Sequence, residues 1–120
     1  ACYQRIDIAL SPFPYNGGTT SAEALWMGVP VLTLRGDHFV SHVSESIVHN
    51  AGLSEWVAAD EDEYIAKALA FSSALNALAT LRKGLREKVL RQPLFDAERF
   101  ACHFGEAMFT MREILAKSER

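Results

Sequence analysis

Cysteine is scarce in this chain. Cys2 and Cys102 stand near opposite ends of the 120 residues with no CxxC spacing, so neither a zinc site nor a redox motif is indicated and free thiols are expected. No apolar run approaches the roughly 20 residues that a membrane helix needs. Nothing at the start has the form of a signal peptide, so the expectation is a cytoplasmic location with no membrane partner. Basic residues are also in deficit. Twelve Lys and Arg against fifteen Asp and Glu give a net charge of −3 and no basic stripe, which argues against nucleic acid as a partner. No internal repeat is visible. The chain opens Ala1-Cys2-Tyr3 without a methionine, which points to a segment of a longer polypeptide. Its length fits one domain at most, and 49% hydrophobic with 22% charged residues is ordinary for a soluble globular α/β protein.

What is present is concentrated between Ile6 and Thr33. Ile6 to Leu10 reads as a short, largely apolar strand, and the adjacent Gly17 and Gly18 let backbone come close to whatever lies above it. Thr19, Thr20 and Ser21 supply hydroxyls at the start of a helix over about 20–27. That helix aims unpaired N–H groups and the positive end of its dipole at the same space, as an anion site requires. Gly28 is its expected C′ residue, and Pro30 enforces the break before a strand at Val31–Leu34. A helix over about 41–50 follows, with Gly52 just beyond its end, then a weak strand at 56–58.

The remainder reads as helical. Asp60 with Glu63 three residues later forms a capping-box signature, so the acidic run 60–63 is taken as helix initiation, not a partner or metal site. Leu75, Leu78, Leu81, Leu85 and Val89 mark a further amphipathic helix. Phe100, Phe104, Met108, Met111 and Leu115 stripe a last one, as a core or interdomain face. Consecutive βα units imply a short parallel sheet with right-handed crossovers and flanking helices. The division is a strand, turn and helix core over 5–58 and a helical tail over 60–117. Three strands are half of a doubly wound sheet, so apolar helix faces are left uncovered and self-association is expected.

Several residues carry two readings. Thr19 and Thr20 suit either an anion or a plain helix start, and Thr20 to Glu23 is itself a capping box in which Glu23 bonds back to the Thr20 N–H. His38 and His42, four apart, share a helical face, but no third ligand stands at a useful spacing, so no metal is assigned. Ser11 and Ser21 lack the context of a nucleophile elbow.

Asp7 through Thr33, including the run Phe13-Pro14-Tyr15-Asn16-Gly17-Gly18-Thr19-Thr20, resembles the donor-binding segment of the family-41 glycosyltransferases, the O-linked N-acetylglucosamine transferases and SPINDLY-type proteins. The likeness continues through Leu34 to Asp37, Gly52-Leu53 and Gln92 to Asp96. It implies the C-terminal, Rossmann-like part of a GT-B fold and a uridine diphosphate (UDP) sugar as donor. The resemblance further implies an inverting transfer to protein serine or threonine hydroxyls, with no metal or other cofactor expected. By resemblance Gly17, Gly18, Thr19 and Thr20 face the diphosphate, and Glu23 holds the ribose hydroxyls. Gly18 departs from the animal enzymes, which carry histidine there, so backbone must substitute and a side chain at 18 should intrude on the phosphates. His42 stands where relatives often have arginine.

The family's lysine that stabilises the leaving diphosphate lies upstream of the matched segment, so no catalytic residue is assigned. The acceptor-side half and the tetratricopeptide repeats that recruit protein acceptors also lie outside it, so the segment alone is expected to be inactive. Two alternatives stay open: a GT-B enzyme with a lipid or small-molecule acceptor, and a noncatalytic interaction module.

Overall fold

The structure, a computed structural model, describes residues 2–118. Its elements in chain order are β1 (Ala9–Leu10), α1 (Thr19–Trp26), β2 (Val31–Leu34), α2 (Phe39–Asn50), β3 (Val57–Ala58), α3 (Glu61–Ser73), α4 (Leu75–Leu90) and α5 (Ala97–Ser118). Short 3-10 turns at Tyr3–Arg5, Ser54–Trp56 and Pro93–Phe95 join them. The strands form a parallel sheet in the order β1-β2-β3, with Ala9 opposite Val31 and Thr33 opposite Val57. This is the α/β class and topology expected from the alternation of elements.

The first strand is shorter than its apolar run. Only Ala9 and Leu10 pair, and Ile6 and Ile8 pack on the core from outside the ladder. The partner explains this: β2 begins directly after Pro30, which accepts from the Ala9 N–H at 2.9 Å through its carbonyl but has no N–H to return. Trp56 likewise belongs to a 3-10 turn, leaving β3 two residues long.

β2 is buried along its whole length, as a central parallel strand must be. Its Leu32, and Leu25, Leu53 and Leu85 from other elements, are fully enclosed, each contributing about 1.5–3 kcal/mol by burial. Trp56 closes the far side, its ring 4.1 Å from that of Phe71 between centroids.

Helix ends follow local chemistry. α1 stops at Gly28, whose φ of +77° no other residue adopts without strain. α2 starts two residues earlier than its apolar spacing indicates. The Ser41 hydroxyl accepts from the His38 N–H at 3.1 Å and donates to the His38 carbonyl at 2.8 Å, closing the first turn. Asp60 caps α3 by accepting from the Glu63 N–H at 2.8 Å. The Glu63 carboxylate reaches past the cap residue to the Ala59 N–H at 2.6 Å and pairs with Lys67 at 2.9 Å. The Ala59 bond, then Lys67, hold its carboxyl below the ordinary range.

α4 buries Leu78, Leu85 and Val89, while Leu75 is exposed. In α5 the structure removes one of the two readings of the apolar stripe, the core, and leaves the interdomain face. This stripe of Phe100, Phe104, Met108, Met111 and Leu115 is exposed throughout, so it is not core, and the helix extends the molecule to 62 × 30 × 22 Å. Among the described residues no single helix is long and apolar enough to cross a membrane; α3 and α4 qualify only as a pair bent by 90°.

Candidate functional site

The C-terminal ends of β1 and β2 and the start of α1 meet at the glycine turn. Gly18 is the residue preceding α1, and its carbonyl accepts from the N–H groups of Ser21 at 3.0 Å and Ala22 at 3.2 Å. Among the described residues no side chain caps the helix. The N–H groups of Gly18, Thr19 and Thr20 are therefore without partners among the described residues. Three successive N–H groups without partners and the positive end of a helix dipole stand at this one helix end, an arrangement able to hold an anion.

The capping-box reading of Thr20 and Glu23 is overturned. Thr20 lies inside the helix, one residue past its start, so it cannot be the cap. The Glu23 carboxylate instead accepts from the Tyr3 hydroxyl at 3.4 Å. Thr19 and Glu23, four apart, lie on one face, which sets the carboxylate one turn behind the free N–H groups. The Tyr3 phenol is raised above its ordinary pKa, first by burial and then by the charge of Glu23.

The two glycines play different parts. A Cβ on Gly17 would stand 2.6 Å from Ser21 Oγ and 2.8 Å from Thr20 Oγ1, closer than packed atoms tolerate. A Cβ on Gly18 would meet only Val43 Cγ1, at an ordinary 3.6 Å. Gly17 is thus required by the protein's own packing, while a Cβ at Gly18 would be accommodated in ordinary contact. The hollow at the turn measures about 180 Å³ and is lined by Ser11, Gly17, Thr20, Ser21 and Tyr3 among others. Beyond Tyr3 lies an apolar recess of about 420 Å³ formed by Thr19, Glu23, Trp26, Met27 and Phe95. Trp26 is fixed there edge-on to Phe95, with Arg86 over its ring at 4.5 Å.

Sequence reasoning missed what holds the turn. Buried Asn16 donates through Nδ2 to Thr33 Oγ1 at 2.7 Å and to the Leu34 carbonyl at 3.3 Å, tying the turn to β2. Ser11, Ser21 and Ser44, all buried, form a hydroxyl cluster beneath Gly17. The signal available was a serine on the buried face of α2, four residues before Val48. Ser11 also accepts at its carbonyl from the Tyr64 hydroxyl at 3.2 Å, and burial raises that phenol's pKa.

The other candidates stand apart. His42 Nδ1 lies 2.8 Å from Glu45, which also accepts from Arg35 at 2.7 Å, and His38 precedes α2. No group of three metal-ligating side chains occurs among the described residues. Cys2 and Cys102 are exposed free thiols.

A parallel sheet whose first strand leads through a glycine turn into an uncapped helix defines a Rossmann-like α/β domain, here of the GT-B type. A model of glycosyl transferase family 41 matches residues 3–104. A Thermobaculum terrenum O-GlcNAc transferase mutant superposes with a TM-score of 0.89 at 38% identity, over 98% of this chain and 23% of that one. The chain belongs to glycosyltransferase family 41. Among its relatives, the SPINDLY protein of Hordeum vulgare, named a probable UDP-N-acetylglucosamine–peptide N-acetylglucosaminyltransferase, is 44% identical over 82% of this chain and 10% of its own length. The Arabidopsis thaliana protein of the same name is 36% identical over 98% of this chain and 13% of its own. The chain thus spans about a tenth of the length of the curated relatives it matches.

Proposed function

We propose that this chain is the donor-nucleotide part of an inverting glycosyltransferase that moves N-acetylglucosamine from a UDP donor to protein serine or threonine hydroxyls. The observation that carries the reading is the free N–H triplet of Gly18, Thr19 and Thr20, with the Glu23 carboxylate one helical turn behind it. A diphosphate takes the backbone donors. The carboxylate, with two acceptor oxygens, takes the vicinal hydroxyls of the adjoining ribose. The Thr19 and Thr20 hydroxyls are exposed at the rim and add donors to the phosphate oxygens.

The donors are backbone groups, so the reading calls for no metal. Catalysis requires groups beyond this segment: the acceptor-side wall, the lysine that the family places upstream, and repeats that recruit the protein acceptor. The segment alone is accordingly inactive and binds nucleotide weakly, because one wall of a cleft neither excludes water nor surrounds its ligand. The names of the relatives, which describe peptide N-acetylglucosaminyltransferases, support the choice of sugar and acceptor. A cytoplasmic location belongs to the same proposal.

Isothermal titration of UDP tests the reading, first on the chain and then on the complete polypeptide that carries it. Saturable binding weakened at least tenfold by Glu23→Ala is expected. Silence in both proteins refutes the donor site. The exposed stripe of α5 favours a second reading, an interaction module, which predicts no effect of UDP on thermal stability.

A further inference from the structure

The peptide between Gly17 and Gly18 is flanked by the two residues with the freest backbones, so its plane is the easiest part of the turn to flip. In a trans peptide the C=O of Gly17 and the N–H of Gly18 point in opposite directions. Whichever way the carbonyl faces therefore decides whether the cleft is offered a donor or a partial negative charge. One hydroxyl decides this in the structure. Ser44 Oγ, from α2 and fully buried, donates to the Gly17 carbonyl at 2.5 Å.

The proton count around Ser44 has one solution. Its single proton goes to Gly17, so its other two partners must donate to it: Ser11 Oγ at 2.9 Å and Ser21 Oγ at 2.9 Å. Ser11, its proton so engaged, accepts from the Gly17 N–H at 3.1 Å. The peptides on both sides of Gly17 are thus held from beneath, and the polarity runs one way, drawing the carbonyl inward. Neighbouring Ser21 leaves no space for a Cβ on Gly17, so the residue that makes the turn flexible cannot be exchanged for a stiffer one.

We propose that Ser44 is a positioning residue for diphosphate recognition: it locks the Gly17–Gly18 peptide with its carbonyl inward and its N–H toward the anion, without touching the ligand. This rests on the donor-site reading above. It assigns to α2 a part in a site otherwise built from β1 and α1.

The test compares Ser44→Ala, Ser44→Cys and Val89→Ala in the complete polypeptide that carries the segment. Val89 is buried in α4 and controls for lost stability. UDP affinity is expected to fall about tenfold in Ser44→Ala, the loss of one charge-assisted hydrogen bond. Ser44→Cys, which keeps a weak donor, falls between, and Val89→Ala is unchanged. Without ligand, amide exchange in the 14–20 peptide rises several-fold in Ser44→Ala only. Equal affinity in Ser44→Ala and the unaltered protein, or equal losses in Ser44→Ala and Val89→Ala, overturns the proposal. If Ser44→Ala does not fold, Ser44→Cys carries the same comparison. Absence of UDP binding by the unaltered protein refutes the donor site instead, and the exchange measurement then decides alone whether Ser44 holds the turn.

Discussion

Gly17 and Gly18 are adjacent and chemically identical, yet substituting them should give opposite results. In Gly17→Ala the new methyl group falls 2.6 Å from Ser21 Oγ and 2.8 Å from Thr20 Oγ1, about an ångström inside ordinary contact. Neither atom is the free end of a long chain. Ser21 is buried and bonded to Ser44, so relief requires moving the start of α1 or breaking the hydroxyl cluster. Overpacking of this kind costs about 1–3 kcal/mol. At a urea slope of about 2 kcal/mol per molar, the midpoint falls by roughly 1 M for a loss of about 2 kcal/mol. Gly18→Ser puts its Cβ 3.6 Å from Val43 and adds a capping hydroxyl where α1 has none, so stability should stay within about 0.5 kcal/mol of the original. The same hydroxyl takes up N–H groups that the proposed donor site gives to phosphate, so UDP affinity should fall. Urea unfolding beside UDP titration separates the two: Gly17→Ala loses stability and affinity, and Gly18→Ser loses affinity alone. Equal midpoints for the two variants would refute the packing argument.

Acid should weaken the fold through Glu45. Burial raises this carboxyl, but the hydrogen bonds from His42 and Arg35 together outweigh it and hold the folded group below the ordinary 4.5. The unfolded chain then binds the proton first, so stability is full above that value and is lost as pH falls through the lower, folded one. Thermal melts of Glu45→Gln between pH 3 and 6, bounds set by that carboxylate range, should show a flatter pH dependence than the parent; parallel curves would contradict this. Leu85→Ala, at a fully enclosed position, should cost about 2–5 kcal/mol in urea unfolding. Phe104→Glu and Met108→Glu, both at exposed positions, should leave the urea midpoint in place. They should reduce self-association of the isolated chain in light scattering, and an unchanged mass would rule out α5 as its interface.

Most of the fold was legible because each element announces itself locally. Gly28 ends α1, Asp60 starts α3, and Val31–Leu34, β-branched at alternate positions and closed by Arg35-Gly36-Asp37, reads as a strand. Boundaries failed where a partner decided them. β1 is short because Pro30 lacks a donor, and α2 is long because Ser41 folds back on His38, neither of which shows in the periodicity of the element itself. At the site, the glycine turn and Glu23 were readable as a contiguous motif. Ser44, 27 residues beyond Gly17, was not, since one of three serines in an amphipathic helix does not announce a distant partner. Tyr3 escaped for the same reason: its partner is 20 residues away.

Arg82 gives α4 a hold on that tyrosine. Its guanidinium pairs with Asp7 and donates to the carbonyls of Gly28, at 3.3 Å, and Tyr3, at 3.4 Å. The residue whose hydroxyl bonds Glu23 is therefore moored by its own backbone to the opposite helix. On the donor-site proposal, affinity for the ribose would then be set partly from a distance. In the proposed donor site, a substitution of Arg82 that slackens this mooring would shift the acid against the diphosphate and change donor affinity while every group proposed to meet the nucleotide stays the same.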